Sequence, residues 1–157
     1  MHSLEIQGNP VKKDDYIFLK RGIALSRKSM IKSPSQINHF KMVIGCNSII
    51  RADIARINLQ DYVIICDKVI LHPSHVIKTD STSFTSMTIG AYTIIGNESI
   101  VKAFNIGSFV RVGKNCIIGD RSTIGDNCII RDHSIVLPGT IIPNNTIWEG
   151  KPAKFVG

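Results

Sequence analysis

The chain has 157 residues, with 19 Lys and Arg against 12 Asp and Glu, and a formal net charge of +7. Apolar residues make up 43% of the sequence and charged residues 20%, so a packed core is expected and general disorder is excluded. No apolar run approaches the roughly 20 residues that a membrane-spanning helix needs, and the N-terminal segment lacks the apolar stretch of a secretory signal. The composition therefore predicts a cytoplasmic protein without direct membrane insertion.

The positive charge shows no pattern typical of nucleic-acid binding. Basic residues are scattered singly or in pairs, with no Lys/Arg block and no nucleic-acid-binding motif, so a solvated surface is expected and no nucleic-acid partner. The four cysteines, at positions 46, 66, 116 and 128, form no CxxC pair. A zinc knuckle or a thioredoxin-type site therefore has no support, and reduced thiols are expected.

The N-terminal part of the chain has little periodicity. Residues 1–15 are predicted to form a flexible arm, and residues 16–157 a single domain. Within that domain, the segment from Tyr16 to Phe40 predicts a strand, a turn at Arg21-Gly22 and a poorly periodic first coil.

From Ile44 onward, apolar residues recur every six positions, interrupted by steps of nine, eighteen and five residues. A period of six fits neither an α-helix nor a simple alternating strand, but it fits a parallel β-helix with three short strands per coil. We therefore predict an all-β, parallel β-helix of about six to seven triangular coils built from hexapeptide repeats. The apolar positions predicted to point into the core are Ile44, Ile50, Leu59, Ile65, Leu71, Ile89, Ile95, Val101, Ile106, Val112, Ile118, Ile124, Ile130, Val136, Ile142 and Trp148.

Small residues and glycines flank these core positions. Cys116 and Cys128 lie two positions before a core residue, where space is tight, and are interpreted as core fillers rather than nucleophiles. Gly107 and Gly113 follow core residues, where left-handed backbone freedom would suit a turn. The eighteen-residue step from Leu71 to Ile89 equals one coil, so the repeat is expected to keep its register there. The Ser/Thr-rich residues around 73–87 predict an irregular loop, and residues 148–154 a closing cap.

The residue before each core position points outward and is often Ile. Ile100, Ile117 and Ile135 recur one coil apart and predict an apolar ladder on one face, while Tyr92 and Phe109 are expected to stack. Branched residues suit strands in any case, yet a ladder several coils long is an unusually large apolar patch for a monomer. These five residues are therefore candidates for a protein interface. Strand edges at the ends of the β-helix also need a cap or another subunit.

The hexapeptide pattern resembles the left-handed β-helix family, and the left-handed sense is implied by that resemblance alone. Arg51, Asp53 and His72 resemble positions of the γ-class carbonic anhydrases, in which three His bind zinc. The first His falls on His72, but the others fall on Asn97 and Lys102. A catalytic zinc needs three good ligands, so the resemblance implies a vestigial ligand position and no metal. Arg51 and Asp53 are expected to form a structural ion pair.

A hexapeptide acyltransferase is the second enzyme alternative. Many of these proteins use CoA and a His general base between the subunits of a trimer, and the ending at residues 150–154 resembles their caps. No histidine of this chain has an obvious orienting carboxylate in sequence, and His133 lies in a predicted turn. The candidate histidines are His2, His39, His72, His75 and His133.

The run IGSFVRVGKNCIIGDR at residues 106–121 closely resembles the dynactin subunit 5 family. Asp15-Tyr16-Ile17 and the stretch from Ile49 to Asp53 match too, over about residues 15–155 in all. The resemblance implies a non-catalytic, cofactor-free structural subunit of the dynactin pointed-end complex, which supports dynein-driven cargo transport in the cytoplasm in association with the cytoskeleton. Implied partners are other pointed-end subunits, including a second left-handed β-helix subunit, and dynein cargo adaptors. The cap and Leu71-His72 are closer to enzyme relatives, so a homotrimeric γ-class or acyltransferase enzyme stays as the alternative.

Overall fold

The computed structural model describes residues 15–19, 22–34, 37–38 and 41–157. Within these ranges the chain winds into a β-helix of about six coils, and each coil contributes one short strand to each of three parallel sheets. The prediction of an all-β, parallel β-helix built from hexapeptide repeats is confirmed. The described residues contain no helix that is long and apolar enough to cross a membrane.

The three sheets follow one another around each coil. The first sheet contains β1 (Tyr16–Leu19), β2 (Ile23–Ser26), β5 (Met42–Ile44), β8 (Val63–Ile65), β13 (Ile94–Ile95), β16 (Arg111–Val112), β19 (Ile129–Ile130), β22 (Ile147–Gly150) and β23 (Ala153–Phe155). The second contains β3 (Met30–Lys32), β6 (Ile49–Arg51), β9 (Ile70–Leu71), β14 (Ile100–Val101), β17 (Ile117–Ile118) and β20 (Ile135–Val136). The third contains β4 (Ile37–Asn38), β7 (Ile57–Leu59), β12 (Met87–Ile89), β15 (Asn105–Ile106), β18 (Thr123–Ile124) and β21 (Ile141–Ile142).

Antiparallel strands close the first sheet at both of its ends. At the N-terminal end β1 pairs with β2 around a turn in which Gly22 has a φ of 76°. At the C-terminal end β23 pairs with β22, so that Trp148 lies opposite Phe155. This hairpin confirms the predicted cap. Residues 1–14 of the predicted 1–15 arm lie outside the described residues, as do Arg21 and His39. Asp15, the last residue of that arm, is described, and its carbonyl oxygen accepts a hydrogen bond from the Arg27 amide at 2.9 Å. His2 falls within the undescribed part of the arm.

The core contains the predicted hexapeptide positions, of which Trp148 is only partly buried, together with further inward residues such as Val63 and Met87. Stacked apolar side chains fill the space between the sheets, and burying each one fully contributes about 1.5–3 kcal/mol. Cys116 and Cys128 are fully buried, which confirms their interpretation as core fillers. The core residues exposed by 1% or less include Ile44, Ile50, Leu59, Ile65, Leu71, Ile89, Ile95, Val101, Ile106, Val112, Ile118, Ile124, Ile130, Val136 and Ile142.

The regular spacing of the repeat glycines has a different cause from the one that the sequence predicts. Gly107 and Gly113 do not have positive φ. Instead, a Cβ on Gly107 would lie 2.8 Å from the backbone nitrogen of Asp126 in the next coil and would clash with that residue's carboxylate. The left-handed conformation occurs two residues later, as at Phe109 (φ 56°) and Asn115 (φ 54°). The turn explanation was therefore wrong, because close stacking of coils is what requires the glycine.

The eighteen-residue step from Leu71 to Ile89 is not a coil of the β-helix. It contains an antiparallel hairpin of β10 (His75–Ile77) and β11 (Thr82–Phe84), which forms a separate sheet. The prediction that this step adds one coil was wrong. Apart from the hairpin, the chain passes directly from β9 on the second sheet to β12 on the third sheet, so the step advances the rod by one strand only. The Ser74 hydroxyl attaches the hairpin to the rod by donating to the Lys102 carbonyl oxygen and accepting from the Arg121 amide at 3.0 Å.

Candidate protein-interaction surface

The second sheet carries an unbroken apolar ladder on its outer surface. Strand register stacks one apolar side chain per coil, over six coils. At about 4.8 Å per coil, the ladder is roughly 24 Å long. Met30 is 51% exposed and Ile117 41%, whereas the four others are half-buried. We call this surface the apolar ladder; its members are Met30, Ile49, Ile70, Ile100, Ile117 and Ile135.

The sequence identifies only the last three members of this ladder. Ile100, Ile117 and Ile135 are separated by regular steps, so simple counting finds them. Ile70 is missed because the hairpin separates it from Ile100. Ile49 is missed because the nine-residue step from Ile50 to Leu59 breaks the regular spacing, and Met30 because it lies in the poorly periodic first coil. Whether the ladder contacts another protein stays a prediction.

The other two faces of the rod differ from the second sheet. On the third sheet the outward column is polar until its last strand, where Ile141 is 75% exposed. Within the polar part of this column, the Asn58 side chain donates a hydrogen bond to the Thr88 hydroxyl at 3.3 Å. On the first sheet, Arg111 interrupts an otherwise apolar column between Ile94 and Ile129. The second sheet is therefore the one face that is apolar in every coil described.

Tyr62, Tyr92 and Phe109 stack along the corner between the third and first sheets, and we call them the aromatic column. The ring centroids of Tyr62 and Tyr92 are 4.9 Å apart, and those of Tyr92 and Phe109 are 5.0 Å apart with an interplanar angle of 5°. The stacking of Tyr92 and Phe109 confirms the sequence prediction, and Tyr62 is the member that the sequence missed. At the end of the column, Lys41 Nζ lies 3.2 Å from the Tyr62 hydroxyl oxygen and 5.3 Å from the ring centroid.

The backbone of the aromatic column is in an unfavourable conformation for large side chains. Tyr62, Tyr92 and Phe109 have φ values of 61°, 58° and 56°, and left-handed backbone costs about 1–2 kcal/mol for residues other than Gly. Each stacked pair recovers about 0.5–1.5 kcal/mol. The rings are nevertheless 44–59% exposed, so this corner retains apolar surface that a partner could cover.

Tyr16 covers the N-terminal part of the first sheet. Its side chain is 7% exposed and packs with Ala24, Val43 and Cys66. Burial, reinforced by the nearby Asp67 carboxylate, raises the pKa of Tyr16 to about 12, and the same two causes raise the pKa of Cys66 to about 11. Both groups are therefore neutral near pH 7, and this part of the first sheet is already covered by the chain itself.

The positions of the zinc triad lie at two different corners of the rod. His72 and Lys102 follow equivalent strands of the second sheet in adjacent coils, whereas Asn97 follows the first sheet and accepts a hydrogen bond from the Asp67 amide at 2.9 Å. His72 Nδ1 lies 2.9 Å from the Pro73 carbonyl oxygen, and its ring contacts Phe84 edge-on. Among the described residues, no three His, Cys, Asp or Glu side chains form a possible metal cluster. That the protein binds no metal stays a prediction.

Arg51 and Asp53 form the predicted ion pair. Arg51 Nε lies 2.9 Å from Asp53 Oδ1, and a second hydrogen bond of 3.0 Å joins Nη2 to Oδ2. The Arg51 guanidinium lowers the pKa of the Asp53 carboxyl below its usual value. Because both side chains are more than a third exposed, the pair contributes little to stability.

His133 is a solvent-exposed turn residue, as the sequence predicts. It has a φ of 60°, and its backbone amide donates to the Lys114 carbonyl oxygen at 2.8 Å. The neighbouring Asp132 carboxylate accepts from the Lys114 amide at 2.9 Å, and no carboxylate within the described ranges accepts from the His133 ring. Nearby, Arg131 pairs with Glu149 at 3.1 Å.

Comparisons with known proteins give a family and a fold. A family model described as dynactin subunit 5 matches residues 4–157. A dynactin subunit 5 from Dictyostelium discoideum is 31% identical over 106 residues, which cover 67% of this chain and 54% of that protein. The match thus spans about half the length of this curated relative.

The similar solved structures are enzymes of low sequence identity. A variant of AntD, an N-acyltransferase from Bacillus cereus, in complex with dTDP and coenzyme A superimposes with a TM-score of 0.71 and 16% identity over 85% of this chain and 79% of that chain. AntD with dTDP and 3-hydroxybutyryl-CoA gives a TM-score of 0.51 and 13% identity over 92% of this chain and 84% of that chain. At these identities the likeness shows the fold alone.

Proposed function

Because the chain belongs to the dynactin subunit 5 family, we propose that it is a non-catalytic structural subunit of the dynactin pointed-end complex. In this role it supports dynein-driven cargo transport as a rigid, cytoskeleton-associated scaffold. Its partners are other pointed-end subunits, including a second β-helix subunit, and dynein cargo adaptors. The chain needs no cofactor or metal for this role.

The apolar ladder is the observation that carries this proposal. Strand register fixes these side chains on the outer surface of the rod, where Met30 and Ile117 are exposed among the described residues. Full burial of an Ile side chain contributes about 1.5–3 kcal/mol, so covering the 41% of Ile117 that is exposed would add about 1 kcal/mol. Met30 is more exposed than Ile117 and the other four members are less exposed, and together the six residues give a partner several kcal/mol without any rearrangement of the rod.

The aromatic column lies at the corner between the third and first sheets, opposite the second sheet, and forms a second proposed contact surface. Tyr92 and Phe109 are 50% and 59% exposed, and half-exposed aromatic residues are typical anchors of protein interfaces. Since coil stacking and ring stacking hold both side chains in place, little conformational entropy is lost on binding. We propose Ile100, Ile117, Ile135, Tyr92 and Phe109 as contact residues for other dynactin subunits.

A pair of lysine substitutions in one coil tests the proposal. Ile117→Lys introduces a charge into the apolar ladder, whereas Asn105→Lys introduces the same charge on the polar third sheet of that coil. Both positions are exposed, so both variants should fold with thermal stability close to that of the parent. In cells that produce dynactin, we expect tagged Ile117→Lys to recover at least tenfold less of the other dynactin subunits, while Asn105→Lys recovers them at the parent level.

The result that contradicts the proposal is equally specific. If folded Ile117→Lys recovers as much of the complex as Asn105→Lys, the apolar ladder is not part of the interface. If the parent chain itself recovers no dynactin subunits and instead purifies with stoichiometric zinc or binds coenzyme A, the scaffold role is wrong.

A further inference from the structure

The three sheets end differently at the C-terminal end of the rod. In the first sheet, the Ile147 amide donates to the Gly157 carbonyl oxygen at 2.8 Å, and β23 pairs with β22. In the third sheet, Gly125 donates to the Ile142 carbonyl oxygen at 2.8 Å, but the equivalent residue one coil later is Pro143, which has no N–H. The chain has therefore paired one sheet edge, and Pro143 has removed one of the two backbone donors of another, leaving only the Ile141 amide there.

The second sheet ends on a strand that keeps its backbone donors. In the preceding coil, the Ile117 and Gly119 amides donate to the carbonyl oxygens of Ser134 and Val136 at 2.9 and 2.8 Å. One coil later the equivalent donors are Ile135 and Leu137. The terminal strand β20 pairs only with β17, and within residues 41–157 no acceptor lies beyond these two amides. Both N–H groups thus point off the end of the sheet.

The edge is rigid and carries apolar side chains. The Thr140 amide donates to the Leu137 carbonyl oxygen at 3.3 Å, and the Gly139 amide donates to the Asp120 carbonyl oxygen at 2.8 Å, so the turn after β20 is fixed. Leu137 is 51% exposed, and Ile135 is the last member of the apolar ladder. A strand added here would gain backbone hydrogen bonds and extend the apolar ladder by one position.

We propose that β20 accepts an extended strand from a different subunit of the dynactin complex, which adds in parallel to the second sheet. This inference rests on the proposed function. The added strand accepts hydrogen bonds from the Ile135 and Leu137 amides, donates one to the Ile135 carbonyl oxygen, and places an apolar, β-branched side chain next to Ile135. A second copy of this chain that adds a parallel strand would join head to tail, which would leave the same edge free on each new copy and build a filament, so we assign the strand to a different subunit.

Amide hydrogen exchange measured by mass spectrometry tests this strand addition directly. The full chain is compared alone and within dynactin purified through a tag on this chain. In the isolated chain, we expect the Ile135 and Leu137 amides to exchange within the fastest class, because neither is bonded. In the complex, we expect their exchange to slow by at least tenfold, while the Ile141 amide at the blunted edge of the third sheet changes less than twofold.

The outcomes separate this inference from the proposed function. If the chain co-purifies with dynactin subunits but the two β20 amides stay unprotected, strand addition is overturned and the proposed function stands. If the chain does not co-purify, both are overturned. Protection that rises with the concentration of the isolated chain would assign the edge to a second copy and overturn the proposal.

A substitution pair provides an independent readout. Leu137→Pro removes one donor and its side chain, whereas Leu137→Ala removes only the side chain. We expect Leu137→Pro to recover at least fivefold less dynactin than Leu137→Ala. Equal recovery by two folded variants would contradict the backbone hydrogen bond, and if Leu137→Pro does not fold, the exchange experiment alone decides.

Discussion

Replacing Gly107 tests why the repeat needs a glycine at this position. A Cβ on Gly107 would lie 2.8 Å from the Asp126 amide nitrogen and 2.8 Å from the Gly125 carbonyl carbon, and it would also clash with the Asp126 carboxylate. Real Cβ atoms do not approach backbone atoms this closely, so the coils must separate locally. Separation also strains the 2.8 Å hydrogen bond from the Ser108 amide to Asp126 Oδ1. Overpacking of this kind costs about 1–3 kcal/mol.

Gly139 provides the matched control, because its backbone conformation favours glycine while the space around it would accept a side chain. It has a φ of 73° in the turn after Pro138, and a Cβ there would meet nothing within 4 Å. Asn tolerates left-handed backbone better than Ala does, so Gly139→Asn should be more stable than Gly139→Ala. At Gly107 the larger Asn side chain should be at least as destabilising as Ala.

Urea unfolding of the four variants measures these free energies of unfolding. We expect Gly107→Ala to lose about 1–3 kcal/mol, with Tm falling by about 2–4 °C for each kcal/mol lost. A Gly107→Ala variant that is as stable as the parent would refute the close-stacking explanation. A Gly107→Asn variant more stable than Gly107→Ala would restore the conformational explanation instead.

Two further predictions follow from burial and charge. Ile118→Ala should lower the free energy of unfolding by about 2–5 kcal/mol, since Ile118 is fully buried. Ile117→Ala, on the outer surface, should lower it by less than about 1 kcal/mol. Chemical denaturation of both variants measures this difference. The pKa of Tyr16 is raised to about 12 in the folded chain, so between pH 10 and pH 12 the folded chain keeps a phenol proton that the unfolded chain has lost. The contribution of the neutral, buried Tyr16 to stability is therefore complete below pH 10 and disappears as the pH rises towards 12. Tyr16→Phe should therefore show a smaller loss of Tm between pH 10 and pH 12 than the parent, and parallel curves for the two proteins would contradict the shift.

The sequence predicts the coils because an inward position that must be apolar recurs wherever the chain is regular. Counting by six identifies Ile118 as core and Ile117 as surface, and the structure agrees at both. The same counting fails across the step from Leu71 to Ile89. Eighteen residues can hold either one coil or a single hexapeptide with a twelve-residue insertion, and only the pairing of β9 with β14 distinguishes the two.

The interaction surface is harder to predict because it depends on which residues stack across coils. Tyr92 and Phe109 are one regular coil apart and are found by counting, but Tyr62 lies before the hairpin and is not. The cause of the glycine spacing was also missed, since the nearest atoms to Gly107 belong to Asp126, a residue in another coil. Contacts between coils are not visible in local sequence where insertions change the distance along the chain.

The hairpin of β10 and β11 shows how the repeat tolerates an insertion. It leaves the rod at a corner and returns without disturbing the pairing of β7 with β12. Phe84 lies edge-on between His72 and His75, with ring centroids 5.8 and 5.6 Å away. His72, the position that resembles a zinc ligand, is thus a contact that anchors the hairpin.

Native mass spectrometry of the tagged parent chain, purified under mild conditions from cells that produce dynactin, tests the scaffold role most directly. We expect this chain in a heteromeric assembly with other dynactin subunits, at a fixed stoichiometry and without bound zinc or coenzyme A. A homotrimer that carries stoichiometric zinc or coenzyme A between its subunits, free of other dynactin chains, would contradict the account.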